Sequence, residues 1–256
     1  MNYYNEYDPK TAAWLRELIK VGAIPDGHVD ERSIAEVSPD DLRGFTQCHF
    51  FAGIGGWSLA LQLAGWSSDK PVWTGSCPCQ PFSSAGKGLG AADERHLWPV
   101  FFELIRKCRP EHVFGEQVAS AIGHGWLDGV SADLEAEGYT CGATVLGAHS
   151  VGAPHIRQRL YWVAHNLSQR GQRLESRPNT FFPRQWNWCG EKDMQALVSN
   201  PFAGNDRWPQ PLLRSMDDGL PSRVVGCHGY GNAIVPQVAA EFIGAFMDTT
   251  PSSFSA

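Results

Sequence analysis

The spacing of apolar positions along the chain predicts alternating helices and strands. From Pro9 to Val21 apolar side chains recur every three or four residues, behind Asp8 as a helix cap and Pro9 in the first turn, which is typical of an amphipathic helix. The same spacing predicts helices over 57–64, 97–108, 128–137 and 236–247, and short apolar runs predict strands over 28–34, 48–51, 71–75, from 112 onward and over 160–164. This alternation indicates an α/β fold with a mostly parallel sheet covered on both faces.

The pattern ends after the last predicted strand. From His165 to about Gln210 the sequence is rich in Arg, Asn, Gly, Pro and Trp, without an apolar period. The net charge of −6 does not indicate a polyanion partner, so a nucleic-acid-binding surface would need locally concentrated basic residues. Such a concentration exists, at arginines 157, 159, 170, 173, 177 and 184. Taken alone, this stretch is equally typical of a solvated loop.

Composition restricts the class of protein further. The hydrophobic fraction of 43% favours a folded domain, and neither a bilayer-spanning run nor a signal-peptide core is visible, so we expect a cytoplasmic protein. The odd number of seven cysteines favours reduced thiols over a disulfide framework. Cys77 and Cys79 lack a second pair at zinc-finger spacing, so no metal site is predicted.

Two short motifs carry candidate chemistry. In FAGIGG the glycines Gly53, Gly55 and Gly56 allow a tight turn and close backbone approach to a ligand, although the G-x-G-x-x-G spacing is absent. In GSCPCQPFS the thiol of Cys79 follows a strand, where a helix N-terminus and nearby basic groups would favour its thiolate. Considered by itself, Cys79 fits a buried structural cysteine at least as well.

The two motifs together resemble those of the DNA cytosine-5 methyltransferases. Three further segments resemble motifs of that family and occur in the family's order: GEQV, PHIRQRLYWVA and GYGNAIVP, at 115–118, 154–164 and 229–236. Two positions depart from the family pattern, since Gln117 replaces an Asn and His155 replaces a Gln. Several motifs in one order are much more specific than any one of them.

The resemblance implies a particular set of catalytic residues. The Cys79 thiolate would add to C6 of a cytosine flipped out of the duplex, which makes C5 nucleophilic toward the methyl group of S-adenosylmethionine. Glu116 would protonate or hydrogen-bond the ring at N3, which requires a raised pKa in a partly dry pocket. Arg159 would hold the cytosine O2, and Arg157 would help to shape the pocket.

The resemblance also implies cofactor-binding residues. Phe51 would stack on the adenine, with Gly53, Gly55 and Gly56 in the turn, and Pro78 and Asn232 are assigned to the same site. In the family the carboxylate for the ribose follows the helix after the glycine turn, but the chain has no matching strand and acid between Trp66 and Cys79.

The missing segment resembles the start of the chain. YYNEYDPKTAAWLREL is similar to the family's Asn-Glu strand end and the helix after it, so residues 1–45 would be a transposed cofactor-binding segment that leaves the spatial order of the sheet unchanged. Glu6 would then bind the ribose, and Tyr7 would pack on the adenine or sulfonium region. Asp30 is a substitute for the acidic position that His28 occupies. The alternative is that residues 1–45 form an added cap and Asp69 supplies the carboxylate.

These observations together imply a Rossmann-like methyltransferase sheet with a small irregular insert. We expect a catalytic α/β domain over 1–165, a target-recognition region over 166–210 and a C-terminal segment over 211–256 that returns to the catalytic domain. The implied partner is double-stranded DNA, and the implied enzyme is a monomer without metal in a bacterial or phage-infected cell. Two alternatives stay open: an RNA cytosine-5 methyltransferase and a catalytically impaired DNA-binding relative.

Overall fold

A computed structural model describes residues 1–78, 97–153, 157–166 and 233–249, apart from the side chain of His124. These residues form one sheet with helices on both faces. The strands are β1 (Asn2–Asn5), β2 (Gly27–Asp30), β3 (Gln47–Phe50), β4 (Val72–Gly75), β5 (His112–Val118), β6 (Tyr139–Gly147) and β7 (Gln158–Asn166). The α-helices are α1 (Pro9–Lys20), α2 (Gly56–Ala64), α3 (Trp98–Cys108), α4 (Trp126–Ala136) and α5 (Pro236–Thr249).

The sheet has the order β2-β1-β3-β4-β5-β7-β6. The first five strands in this order are parallel, and β7 runs antiparallel to both of its neighbours. The predicted α/β class is therefore confirmed. Because parallel strands end at one edge, the residues that follow β1, β3, β4 and β5 gather there, together with the beginning of the antiparallel β7.

Each face of the sheet carries its own apolar layer. On one face, α3 and α4 pack against a cluster that includes Phe50, Trp73 and Trp162. On the other face, α2 and α5 pack against Phe114 and Tyr161, while α1 covers Tyr4 beside them. The predicted covering of both faces is confirmed, and within the described residues no helix combines the length and apolarity needed to cross a bilayer.

Two sequence-based predictions about strands need correction. The strand predicted over 28–34 ends at Asp30, and Ile34–Glu36 is instead a short 3₁₀ turn with Ser33 as its cap. Strand β6 was not predicted, because its interior positions are mostly exposed and give no apolar alternation. It is defined by its hydrogen-bonded pairing with β7, a non-local property. Strand β7 itself extends to Asn166, the first residue of the predicted insert.

The residues at the start of the chain are integral to the sheet. Strand β1 lies between β2 and β3, with Asn5 paired to Phe50 on one side and to Asp30 on the other. This is the arrangement expected if the N-terminal segment completes the sheet. An added cap on the outside of the fold would not insert a strand there.

Close packing at β5 gives a test of the fold beside the candidate site. A Cβ at Gly115 would overlap the indole of Trp162, which lies in the apolar layer under α3 and α4. We expect Gly115→Ala to lower the free energy of unfolding by about 1–3 kcal/mol, because the indole must move out of its packed position. Urea unfolding followed by circular dichroism would measure the change.

Gly142→Ala is the matched control on the other side of β7. A Cβ at Gly142 would lie 3.6 Å from Val163, an ordinary contact, so the free energy of unfolding should stay within about 0.5 kcal/mol of the starting protein. Equal changes in the free energy of unfolding for the two substitutions would contradict the close packing of Trp162 on Gly115.

Candidate active site

The glycine turn between β3 and α2 lies at the carboxyl edge of the sheet. Phe51, Gly53 and Gly55 have φ values of 53°, 56° and 78°, so the backbone here occupies the left-handed region. A Cβ at Gly55 would meet the Ile24 side chain at 2.6 Å, so this glycine permits packing against the N-terminal segment. At Gly53 a Cβ would meet no described atom within 4 Å. The backbone at Gly53 therefore borders open space that a ligand can approach.

Glu6 follows β1 and lies directly on this turn. The Gly53 N–H donates to Glu6 Oε2 at 2.7 Å, and the Asp8 N–H donates to Glu6 Oε1 at 3.0 Å. Burial raises the pKa of Glu6, against the opposing effect of these two hydrogen bonds. An ionised carboxylate has about four lone-pair positions, so these two contacts leave room for further donors. The structure thus brings together two residues, Glu6 and Gly53, that the sequence analysis assigned to one site.

The other predicted residues of the N-terminal segment differ in their surroundings. Tyr7 is 72% exposed. Asp30 is buried, and its carboxylate accepts hydrogen bonds from the Tyr3 hydroxyl and from the backbone and guanidinium of Arg32 at 2.7–3.1 Å. Burial opposes ionisation of Asp30, but the Arg32 and Tyr3 contacts outweigh it and lower its pKa to about 2. Asp30 thus joins β1 to the end of β2, and a role in cofactor binding stays a prediction.

Asp69 is poorly placed for the alternative carboxylate role. It is exposed, accepts a hydrogen bond from the Ser67 hydroxyl, and precedes β4. Because β3 and β4 are parallel, the residues that lead into β4 lie at the opposite edge of the sheet from the turn that follows β3.

Glu116 and Arg159 form an ion pair at the carboxyl edge, in which Glu116 is buried and Arg159 is partly buried. Arg159 lies opposite Val118 in the antiparallel pairing of β5 with β7, so its side chain shares a face with Glu116 two residues along the strand. Arg159 Nε lies 2.9 Å from Glu116 Oε1, and Glu116 is 7% exposed. Burial raises the pKa of Glu116 to about 7, even though Arg159, Arg157 and a hydrogen bond from Ser76 favour the ionised form.

Arg157 connects this pair to the C-terminal segment. Its backbone has a φ of 30°, and its Nη2 donates to the carbonyl of Ala233 at 2.6 Å. Burial lowers the pKa of Arg157, and the nearby charge of Arg159 adds to this effect. The contact holds the beginning of β7 against the residues that lead into α5.

Two contacts of the segment after β4, one with β5 and one with α2, were missed by the sequence analysis. Gln117 Nε2 donates to the Cys77 carbonyl at 3.3 Å, and Gln117 Oε1 accepts from the Val118 N–H at 3.0 Å. The indole N–H of Trp57 donates to Ser76 Oγ at 3.0 Å. Gln117 was noticed only as a departure from the family pattern, and no local pattern marks Ser76.

Sequence comparison identifies the family. A sequence model of the C-5 cytosine-specific DNA methylases matches residues 67–206, which is more than half of the chain. The chain belongs to this family. The match includes Cys79, Glu116, Arg157 and Arg159, whereas the N-terminal segment and the glycine turn lie outside it.

Several type II methyltransferases are similar to this chain. M.NaeI of Lentzea aerocolonigenes is 36% identical over 231 residues, which cover 89% of this chain and 48% of that protein. M.AplI of Arthrospira platensis is 33% identical over 99 residues (38% and 29%), and M.NgoMIV of Neisseria gonorrhoeae is 24% identical over 204 residues (64% and 64%). The chain therefore spans less than two thirds of the length of these relatives.

Two solved structures show a distant likeness to the chain. A DNMT2 variant of Spodoptera frugiperda has a TM-score of 0.43 at 14% identity and covers 68% of this chain and 53% of its own. A methyltransferase encoded in an E. coli prophage, described as a putative DNA modification enzyme, has a TM-score of 0.44 at 17% identity, with coverages of 72% and 51%.

Some of the predicted site residues lie outside the described residues. These are Cys79, His155 and Asn232, and their roles stay predictions. Pro78 is exposed at the end of its described segment, directly after the buried Cys77.

A second group of polar side chains, at the opposite edge of the sheet, was not predicted from spacing. Glu111, His112 and His165 each offer one atom that could bind a metal ion, and these three atoms lie within 4.8 Å of one another. The two imidazoles are stacked, with centroids 4.8 Å apart and planes 29° apart, and Phe246 of α5 packs on both. Because stacked rings direct their in-plane lone pairs side by side rather than toward one point, this arrangement fits packing beneath α5.

The ion pair gives a direct prediction about pH. In protein with ¹³C-labelled glutamate, one carboxyl resonance should titrate near pH 7 and be absent from Glu116→Gln, because burial favours the protonated form below that pH. Arg159→Gln should move this titration to higher pH, since it removes the nearest positive charge. NMR spectra recorded from pH 5 to pH 9 would measure both, and a Glu116 resonance titrating near pH 4.5 would contradict the assigned burial.

Proposed function

We propose that the chain is an S-adenosylmethionine-dependent methyltransferase that modifies C5 of cytosine in double-stranded DNA through Cys79. The observation that carries this proposal is the ion pair of the buried Glu116 with Arg159 at the edge where β4 and β5 end. Membership of the C-5 cytosine-specific DNA methylase family supports the substrate class. Cys79 follows the end of β4 by four residues, close along the chain to Ser76 and Cys77, which contact β5.

The chemistry needs a nucleophile at C6 of the cytosine ring and an acid at N3. The thiolate of Cys79 forms a bond to C6 of cytosine, and the electron pair displaced by this addition moves toward N3. Glu116, protonated below pH about 7, donates its proton or a hydrogen bond there. After methyl transfer the proton at N3 returns to Glu116 and the C5 proton passes to solvent water, and the electron pair of the broken C5–H bond expels the Cys79 thiolate and restores the ring.

Arg159 can hydrogen-bond the substrate while it remains bound to Glu116. Its Nε holds Glu116 and one terminal nitrogen donates to the Gln158 carbonyl at 2.8 Å. A guanidinium has five N–H donors, so others remain for the cytosine O2. Because the ring edge of a paired cytosine is inaccessible, the base must leave the helix to reach these groups.

The residues around the glycine turn fit the adenosyl cofactor. S-adenosylmethionine, when bound, supplies the methyl group. The open space at Gly53 admits a ligand close to the backbone, and the partly buried Glu6 carboxylate beside it suits a ribose diol. Phe51 and Phe101 make an edge-to-face contact, with ring centroids 6.1 Å apart. The Phe51 ring lies at the start of the turn, where we propose that the adenine stacks on it.

The position of the N-terminal segment supports the transposition. Glu6 reaches the glycine turn because β1 lies beside β3, and this spatial relation does not depend on which strand comes first in the chain. The insert over 166–210 is proposed to recognise the target sequence, and almost all of it lies outside the described residues. The domain boundaries, the monomeric state and the cytoplasmic location stay predictions.

The covalent step can be tested by trapping. Incubation with S-adenosylmethionine and duplex DNA that contains 5-fluorocytosine should yield a denaturant-resistant adduct, because fluorine at C5 blocks release of the cysteine. Cys79→Ala should abolish the adduct and lower methyl transfer below detection, whereas Cys77→Ala, the neighbouring buried cysteine, should still be trapped. Gel mobility of labelled DNA would measure trapping.

The same assay separates the alternatives. Equal trapping of a structured RNA would favour an RNA methyltransferase. Binding of DNA without trapping, with Cys79→Ser indistinguishable from the starting protein, would favour a catalytically impaired relative and contradict the proposed enzyme.

The carboxylate for the ribose can be tested by cofactor affinity. Glu6→Ala should weaken binding of S-adenosylmethionine about 10- to 100-fold, because hydrogen bonds to a charged group contribute about 1.5–3 kcal/mol. Asp69→Ala should leave the Kd unchanged, since Asp69 lies at the opposite edge of the sheet. Isothermal titration calorimetry would measure both, and the reverse outcome would favour Asp69 and contradict the transposition.

A further inference from the structure

A series of polar groups leads from α2 to the buried acid. Trp57 lies in the first turn of α2, directly after the glycine turn, and is 3% exposed. Its indole N–H donates to Ser76 Oγ at 3.0 Å. The Ser76 hydroxyl lies beside the Glu116 carboxyl and favours its ionised form. Gly75 pairs with Gly115 in the parallel register of β4 and β5, so Ser76 and Glu116 extend neighbouring strands at the same level.

The chemistry of the three groups fixes the direction of these bonds. An indole nitrogen is a donor only, so Ser76 Oγ accepts from Trp57. A serine hydroxyl has one hydrogen, and an ionised carboxylate can only accept. The Ser76 hydroxyl is therefore the donor to Glu116 whenever that carboxylate is ionised. Trp57 orients the hydroxyl by occupying one of its lone pairs.

The groups that face Glu116 act on it in opposite directions. Arg157 and Arg159 approach from the β7 side and favour the ionised carboxylate, as does Ser76 from the end of β4. Tyr161 also belongs to β7 and lies opposite Glu116, where its buried phenol stays neutral because burial raises its pKa. Burial of Glu116 is the largest effect on its pKa and favours the protonated form. The Ser76 hydroxyl is a neutral donor, so it can be deleted without removing a charge from the surroundings of Glu116.

We propose that Ser76 is a positioning residue for Glu116, with its hydroxyl aimed by Trp57, and that the pair holds the acid ready to give its proton to the base. The inference rests on the proposed function, because the proton donated to cytosine is the one that Glu116 carries. Ser76 itself is not expected to touch the substrate. Its donated hydrogen bond favours release of the proton, which balances the burial that favours retention.

The first test is the titration of Glu116 without DNA or cofactor. Ser76→Ala should raise the pKa of Glu116 by about one, because the ionised form loses a hydrogen bond. Ser76→Thr, which keeps the hydroxyl, should restore the original titration. Ser58→Ala is the matched control, since Ser58 is a buried serine of α2 that donates to the Gly55 carbonyl instead. It should leave the titration unchanged.

A double-mutant cycle tests the role of Trp57. Trp57→Phe keeps an aromatic ring but removes the N–H, so it should raise the pKa of Glu116 by less than Ser76→Ala does. Combining the two substitutions should add nothing to the effect of Ser76→Ala, because Trp57 acts through the hydroxyl. Additive effects would contradict the proposal that Trp57 acts on Glu116 through the Ser76 hydroxyl. Circular dichroism would establish that each variant is folded.

Methyl transfer gives the second measurement. The alkaline limb of kcat should move to higher pH in Ser76→Ala by the same amount as the titration, with KM for DNA unchanged. A titration that does not move in folded Ser76→Ala would overturn the inference, whether or not the protein methylates DNA. If the titrations shift as expected but the protein does not methylate DNA, the role of Ser76 and Trp57 would be supported and the proposed function contradicted.

Discussion

The ion pair between Glu116 and Arg159 is the interaction on which the candidate site depends. Taking two charges out of water is costly, and the attraction between them compensates only when the geometry is good. The antiparallel register of β5 and β7 supplies this geometry, because it places both side chains on one face at the end of the sheet. The Glu116 carboxyl is therefore buried and has a pKa of about 7. A solvent-exposed glutamate would not have a pKa near neutral pH.

Around this pair, backbone and side-chain hydrogen bonds connect segments that are distant in the chain. Gln117 holds the carbonyl of Cys77, and Arg157 holds the carbonyl of Ala233. These contacts fix two segments to residues beside the ion pair. One segment leads to Cys79, and the other contains Ala233 and leads into α5. The glutamine that replaces the family's asparagine at position 117 thus makes a specific contact, and the replacement need not impair the site.

The proposed cofactor-binding part of the site depends on a different contact, between the Glu6 carboxylate and the Gly53 N–H. It exists because β1 lies between β2 and β3, so that the ends of β1 and β3 meet at one edge. A parallel sheet gathers strand ends without regard to their order in the chain. A family motif can therefore sit at either end of the sequence and still deliver its side chain to the same place.

The sequence by itself determined the α/β class, most helices and strands, and the identities of Glu6, Gly53, Glu116 and Arg159 as candidates, since apolar periodicity and short motifs are local signals. Only the tertiary structure decided that Glu6 lies on the glycine turn and Asp69 at the opposite edge, and that β6 completes the sheet. It also decided which groups surround Glu116, including Ser76. Burial, register and hydrogen-bond direction depend on residues far apart in the chain, and no local pattern contains them.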